Sequence, residues 1–313
     1  MMDTTGESNE ISAVGRRAYG SENFQLDLDG LAVGFLNSLE GGAIAAEVIQ
    51  ERLGTHHYVG KHLGPIRYEE VTVTTDLALD QSFYAWIADT WSGKFARRDV
   101  TIYRIDSNNH ILGLSEFYNA LITEVTIPKM DAASKDPAFL TVKFAPEYIR
   151  YKKDSGGKLK GSPSKKGQKK WLPSNFKLTI GDLDCSKVNK VDAFTVKQVT
   201  QTAGVGELRD YQMEPTSLEY PNLTIYLAEA AAQTWRDWHE DFVIKGNNGA
   251  AQEKSGSLAF YSPNMQDVLG QINFSGVGIF KLSPPGYQAG VDQIRRLKAE
   301  LYVESMEFVF GSP

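Results

Sequence analysis

Apolar and polar residues alternate through most of this chain. Phe24, Leu26 and Leu28 are separated by polar residues, and so are Phe176, Leu178 and Ile180. Val71 and Val73 alternate, as do Leu223, Ile225 and Leu227. This period of two predicts half-buried strands. Asp99-Val100-Thr101-Ile102-Tyr103 is β-branched and aromatic, which suits a pleated surface. Leu140, Val142 and Phe144 predict a late strand, and Leu297, Ala299, Leu301 and Val303 another. Only two stretches carry a helical period. Phe83, Trp86, Ile87 and Trp91 share one helical face, as do Ala231, Trp235, Trp238 and Phe242. Asp80 is placed to cap the first helix, and Gly93 and Gly246 follow the two. The predicted fold is mainly β (α+β), with helices packed on an antiparallel sheet, sandwich or small barrel.

The two sets of elements are copies. At an offset of 152, Asn23-Phe24 becomes Asn175-Phe176, Tyr68 becomes Tyr220, Val71-Thr72-Val73 becomes Leu223-Thr224-Ile225, and Trp86 becomes Trp238. The offset holds without a gap from Asn23 to Trp86. A period this long predicts two tandem domains with one flanking helix each. We assign 1–20 to a polar arm, 21–151 to domain one, 152–173 to a linker and 174–313 to domain two. The linker, KKDSGGKLKGSPSKKGQKKWLP, sets eight lysines against one aspartate and holds too little apolar surface to form a core. Between the opening strand and the pre-helix strand each half has a long segment, 32–65 and 184–217. These read as extended arms, with Gly54 or Gly206 near the tip.

Composition narrows the function classes. A 313-residue chain with 42% hydrophobic and 23% charged residues suits two globular domains. A net charge of −6 gives no overall case for nucleic-acid binding. The single cysteine, Cys185, excludes an intrachain disulfide framework. No apolar run approaches the roughly 20 residues that span a bilayer, and the start, MMDTTGESNE, lacks the features of a signal peptide. Cytoplasmic production without membrane insertion is the expectation.

No constellation carries chemistry convincingly. His56, His57 and His62 lie near Glu51 but match no zinc spacing, and the second half does not repeat them. Cys185 has no histidine near it in sequence to activate it. Gly204-Val205-Gly206 and Gly276-Val277-Gly278 lack the third glycine of a dinucleotide loop. Asp27, Asp29, Asp182 and Asp184 read as solvated strand ends. The lysine-rich linker reads as solvated too, with contact to DNA or an acidic partner as the functional alternative. Its one aromatic, Trp171, stands at its end. The helix residues Phe83, Trp86, Trp235 and Trp238 read as core. No catalytic residue, metal ligand or cofactor is expected.

The order of four stretches adds a resemblance. NFQLDLDGL from Asn23, Ala46-Glu47-Val48-Ile49 followed by Pro65, Tyr84-Ala85-Trp86-Ile87 leading to Arg97-Arg98-Asp99-Val100, and Phe117-Tyr118-Asn119-Ala120 through Met130-Asp131-Ala132 together resemble the tail tube proteins of contractile phages and phage-tail-like injection systems. The second half keeps the opening strand, arm and tryptophan helix but has Ser255-Gly256-Ser257-Leu258 in place of the Arg-Arg-Asp lead. The resemblance implies a structural protein whose six domains join sheet edges into a ring. Rings stack through the arms to conduct DNA or effector cargo inside a sheath. With two domains per chain, three chains would complete a pseudo-sixfold ring, as tube, initiator, adapter or cap; six chains would place one domain outside. Expected partners are further copies of the chain and neighbouring tube, sheath, baseplate or spike-hub proteins, in a virion or tail-like particle. Expected assembly contacts are Glu47, Ile49, Arg52, His56 and Tyr58 on the first arm, and Val199, Gly206, Arg209 and Tyr211 on the second. The alternative is a soluble monomeric β-barrel that binds a ligand.

Overall fold

Alternation puts one face of each strand inside, and the computed structural model of the chain shows where those faces meet. It describes residues 23–52, 54, 57–153, 157–159, 171–203, 212–284 and 295–311. In the first half, β1 (Asn23–Leu28), β2 (Leu31–Leu36), β3 (Ser38–Gly41), β4 (Ile44–Arg52), β5 (Val59–Tyr68) and β6 (Val71–Thr75) precede helix α1 (Gln81–Trp91). Then come β7 (Arg98–Ile105), β8 (Ile111–Ile127), β9 (Met130–Asp131), β10 (Leu140–Ala145) and β11 (Tyr148–Lys152). The second half repeats the scheme with β12 (Phe176–Ile180), β13 (Val188–Val191), β14 (Phe194–Ala203), β15 (Gln212–Glu219) and β16 (Leu223–Ala228). Helix α2 (Gln233–His239), β17 (Lys254–Tyr261), β18 (Val268–Ser283) and β19 (Arg296–Phe310) follow.

All the strand pairs are antiparallel. The first half runs β2-β1-β7-β8-β10-β6-β3, and the second β12-β17-β18-β19-β16-β13. The 17-residue β8 serves two layers, pairing early with β7 and β11 and late with β10. It kinks at Asn119, whose φ is +50°, and β18 kinks at Gly276, φ +61°. Both residue types tolerate the left-handed region. At Gly276 a Cβ would also lie 2.5 Å from the Glu304 side chain. β19 does in one strand what β10 and β11 do in two: Leu301 faces Leu223, and Phe308 faces Ile272.

Three sequence expectations need correction. The free arms are shorter than 32–65 and 184–217. Val33 and Leu36 are buried, so β2 and β3 join the sheets, and the first ribbon is β4–β5 alone. Val191 likewise draws β13 into its sheet, leaving β14–β15 as the second ribbon. Asp27 is not a solvated strand end. It is buried beside Gln25, whose Nε2 donates to Asp27 Oδ1 at 3.0 Å, and burial raises its pKa. Third, the second helical stretch is not uniform: a 3₁₀ turn over Glu229–Ala231, α2, then a π turn over Glu240–Ile244. The wide turn still keeps Phe242 against Trp238, with ring centroids 5.8 Å apart.

α1 follows its sequence logic. Asp80 Oδ1 accepts from Ser82 N at 2.9 Å, and Gly93 leaves the helix with φ +78°. Phe83, Trp86, Ile87 and Trp91 are buried, and Trp86 Nε1 donates to the Ala96 carbonyl at 2.7 Å. Trp235 Nε1 makes the matching bond to the Asp184 carbonyl at 3.0 Å. One buried apolar cluster runs through both halves.

Trp86→Ala and Trp238→Ala should each lower stability by roughly 3–5 kcal/mol, the usual cost of removing a buried ring. Urea unfolding midpoints check this; wild-type midpoints would remove both rings from the core. Gly276→Ala should cost more than 1 kcal/mol by placing a side chain at positive φ. Asn119→Gly, at the equivalent kink, should change stability by only a few tenths of a kcal/mol. Equal effects in the same titration would refute the shared kink.

Candidate assembly interface

The groups with chemical potential are all engaged structurally. Asp29 Oδ2 pairs with Arg98 at 2.8 Å, and Glu116 Oε1 pairs with Lys152 at 2.6 Å. Asp29, Asp99 and Glu116 line a shallow cleft, but Asp99 Oδ1 is occupied by the backbone N–H of Asn119 at 2.9 Å. Asp182 pairs with Lys254, and Asp184 Oδ1 accepts from Ser186 N at 2.9 Å. His62 lies 3.9 Å from Glu51 on an exposed ribbon. His56 lies outside the described residues, among which no group of three His, Cys, Asp or Glu converges to hold a metal. Burial pushes the Cys185 thiol up to about 11, which disfavours the thiolate. Trp171 is buried and packs on Phe260, with centroids 5.0 Å apart, so it offers no surface to a base.

The structured contact is a seam between the halves. Late β8 has β10 on one edge and β14, from the second half, on the other. Phe194 stands opposite Ile127, Thr195 opposite Thr126, Val196 opposite Val125 and Lys197 opposite Glu124. Backbone pairing supplies the affinity of such a joint, and the side chains fix its register. Ile127, Val125, Val196 and Phe194 are buried beneath it. On the other face Thr126 Oγ1 and Thr195 Oγ1 lie 2.8 Å apart, and Lys197 reaches Glu124 at 3.6 Å.

A second exchange runs the opposite way. β9, from the first half, extends the second sheet by pairing with β13 through Lys190–Asp131 and Val191–Met130. α1 closes the seam from outside. Tyr84 stacks on Phe310 at 4.0 Å with planes 9° apart, and Trp91 meets Phe308 edge-on at 5.8 Å. Arg97 joins Glu147 at 2.5 Å and also donates to the Met213 carbonyl. Tyr220 OH donates to the Trp91 carbonyl at 2.9 Å.

The exposed face of these strands is charge-compensated. Lys143 lies 3.2 Å from Glu124 and 3.7 Å from Glu70. In the second half Lys298 and Lys281 both pair with Glu300, at 2.7 and 3.2 Å, and hold its carboxyl below the usual range.

The residues expected on the arms lie apart from this seam. Glu47 pairs with Arg67 at 2.8 Å on the β4–β5 ribbon, where Ile49, Arg52 and Tyr58 are exposed. Val199, on β14, is also exposed. Gly206, Arg209 and Tyr211 lie outside the described residues. Sequence reasoning missed Tyr84, Glu124–Ile127, Phe194–Lys197, Phe308 and Phe310. One signal was available: the alternation at the C-terminus continues past Val303 to Phe308 and Phe310.

Among the described residues no helix is long and apolar enough to cross a membrane. No curated protein matches the chain. Among solved structures it resembles the extracellular contractile injection system PVC sheath-tube complex in the extended state, at 20% identity over 48% of this chain and 100% of that one, with a TM-score of 0.40. The anti-feeding prophage tube-terminating cap is 18% identical over 46% and 99%, TM-score 0.40. Hcp1 from Flavobacterium johnsoniae is 15% identical over 44% and 98%, TM-score 0.29. At sequence level the match is to the family described as T4-like virus tail tube protein gp19, over residues 21–150. That stretch holds β1 through α1 to β11, the whole first-half scheme. Residues 21–150 therefore belong to the T4-like virus tail tube protein gp19 family, which is structural and not enzymatic.

Proposed function

We propose that the chain is a ring-forming structural component of a phage tail or phage-tail-like contractile injection system. It acts as an inner tube ring or as a tube initiator, adapter or cap. Its two tail-tube-like domains are 21–151 and 174–313, joined by the lysine-rich segment 152–173. Three chains supply six domains, so a ring with true threefold symmetry presents six near-equivalent positions.

The observation that carries this reading is the β8–β14 seam. One domain's sheet continues into the next through backbone pairing, which is how open edges are removed when a ring closes. The exposed ribbon β4–β5, with Ile49, Arg52 and Tyr58 on it, reaches away from that sheet as a contact to a neighbouring ring. Production in the cytoplasm, followed by incorporation into a particle, fits this role. Neighbouring tube, sheath or baseplate proteins are the partners, and DNA or effector protein is the cargo.

Solution mass, with negative-stain images of the same peak, tests the proposal. Three chains in a hollow ring with six lobes are expected. Six chains in one ring would keep the tube role and move one domain of each chain outside it. A monomer at high concentration, binding a small ligand in its barrel, would replace the reading with a soluble binding module.

A further inference from the structure

The duplication extends to the edges, and the edges do not balance within one chain. Leu26 pairs with Ile102 as Leu178 pairs with Leu258. Phe117 faces Val100 as Phe274 faces Gly256, and Val142 faces Val73 as Ala299 faces Ile225. The ribbons correspond too: Ala45 opposes Arg67 as Lys197 opposes Glu219. These registers make β18 the counterpart of β8, and β4 the counterpart of β14. The late edge of β8 is covered by β14. The matching edge of β18 is left at Val277 by β17, and no described strand takes it over at Lys281–Ser283. β4 has β5 on one side, and among the described residues no strand on the other.

We infer that these two edges bind each other between copies of this chain, repeating the internal seam in the same register. Ala43 of one copy then stands opposite Ser283 of the next, Ile44 opposite Leu282, and Ala45 opposite Lys281. The joint is head-to-tail, because it unites two different surfaces. Such contacts propagate into a ring or filament and are not satisfied by a twofold dimer. The occupant is a second copy, because the chain already demonstrates the fit once.

Exposed apolar residues mark both edges independently. Ile44 is 43% exposed on one, and Phe280 is 42% exposed on the other. Outside the sheet, the internal contact of Trp91 with Phe308 maps onto Val243 and Tyr151. These are 40% and 56% exposed in the single chain. The two joints differ in strength. Internal Lys197–Glu124 becomes Ala45 with Lys281, and the Tyr84–Phe310 stack becomes Arg236 with Lys153. The joint between copies therefore lacks the ion pair and the stacked rings, and it separates first.

The inference shares with the proposed function only the premise that copies associate. Cysteine cross-linking tests it. Thr126 and Thr195, whose hydroxyls touch across the internal seam, are the counterparts of Ser283 and Ala43. The variants are Ala43→Cys and Ser283→Cys, with Thr126→Cys/Thr195→Cys as an intrachain control for seam geometry and wild type as the control for Cys185. Under mild oxidation an equimolar mixture of the two single variants should give a covalent dimer of one chain of each. Neither variant alone should exceed the wild-type background. The double variant should close into a covalent species of defined size, three chains for the proposed ring. Unfolding midpoints for each variant show that it is folded. Self-cross-linking of Ser283→Cys alone would overturn the head-to-tail joint. No mixed dimer, while wild type still forms rings by mass and imaging, would overturn the register and leave the tube role standing. No mixed dimer and no ring would remove both.

Discussion

The outer edge of late β8 is the constraint on which the rest of the structure depends. A strand buried on one face cannot leave a row of N–H and C=O groups unpaired without losing several hydrogen bonds. β8 is central to the first half, with β7 and β11 on its early portion and β10 on its late portion. Its remaining edge is covered by β14, which anchors the second half's ribbon in the first half's sheet. β9 makes the reciprocal exchange onto β13. With backbone exchanged in both directions, the helix stripe on α1 finds its second partner, Phe308 and Phe310 on β19, and the two apolar interiors merge.

Much of this fold was legible in the sequence, for identifiable reasons. β6, β10 and β16 show a strict period of two because one face is core and the other polar, as with Val71 and Val73 against Thr72 and Thr74. α1 was legible because its cap, its ring spacing and its terminal glycine agree. The arms were drawn too long because Val33, Leu36 and Val191 form short apolar runs without a long alternation, and their burial depends on neighbours distant in sequence. Asp27 was misread because a polar residue on a strand signals solvent unless its partner is known, and here the partner is Gln25 two residues away.

The seam was less legible. Val196 and Val125 look like any other inward-facing strand residues, and periodicity carries no information about which edge a strand presents. Tyr84 sits between Phe83 and Trp86, so its turn away from the α1 stripe toward Phe310 is visible only once β19 is in place. The duplication is the property that compensates. A contact made within one chain, together with an offset of 152 before the helix, transfers register information to positions with no partner of their own. The left-handed kinks at Asn119 and Gly276 show that this correspondence extends to single backbone angles, although the two residues differ.

Linking two halves in one chain also changes the molecularity of assembly. The β8–β14 seam closes between segments tethered to each other, so its occupancy does not depend on how much protein is present. Any contact between separate chains is second order and dissolves on dilution. A tethered pair therefore enters assembly as a preformed dimer of domains, and half as many bodies must lose their translational freedom for a given number of domains. Nucleation, the slowest stage for a closed ring built from single domains, is the stage that such a chain shortens.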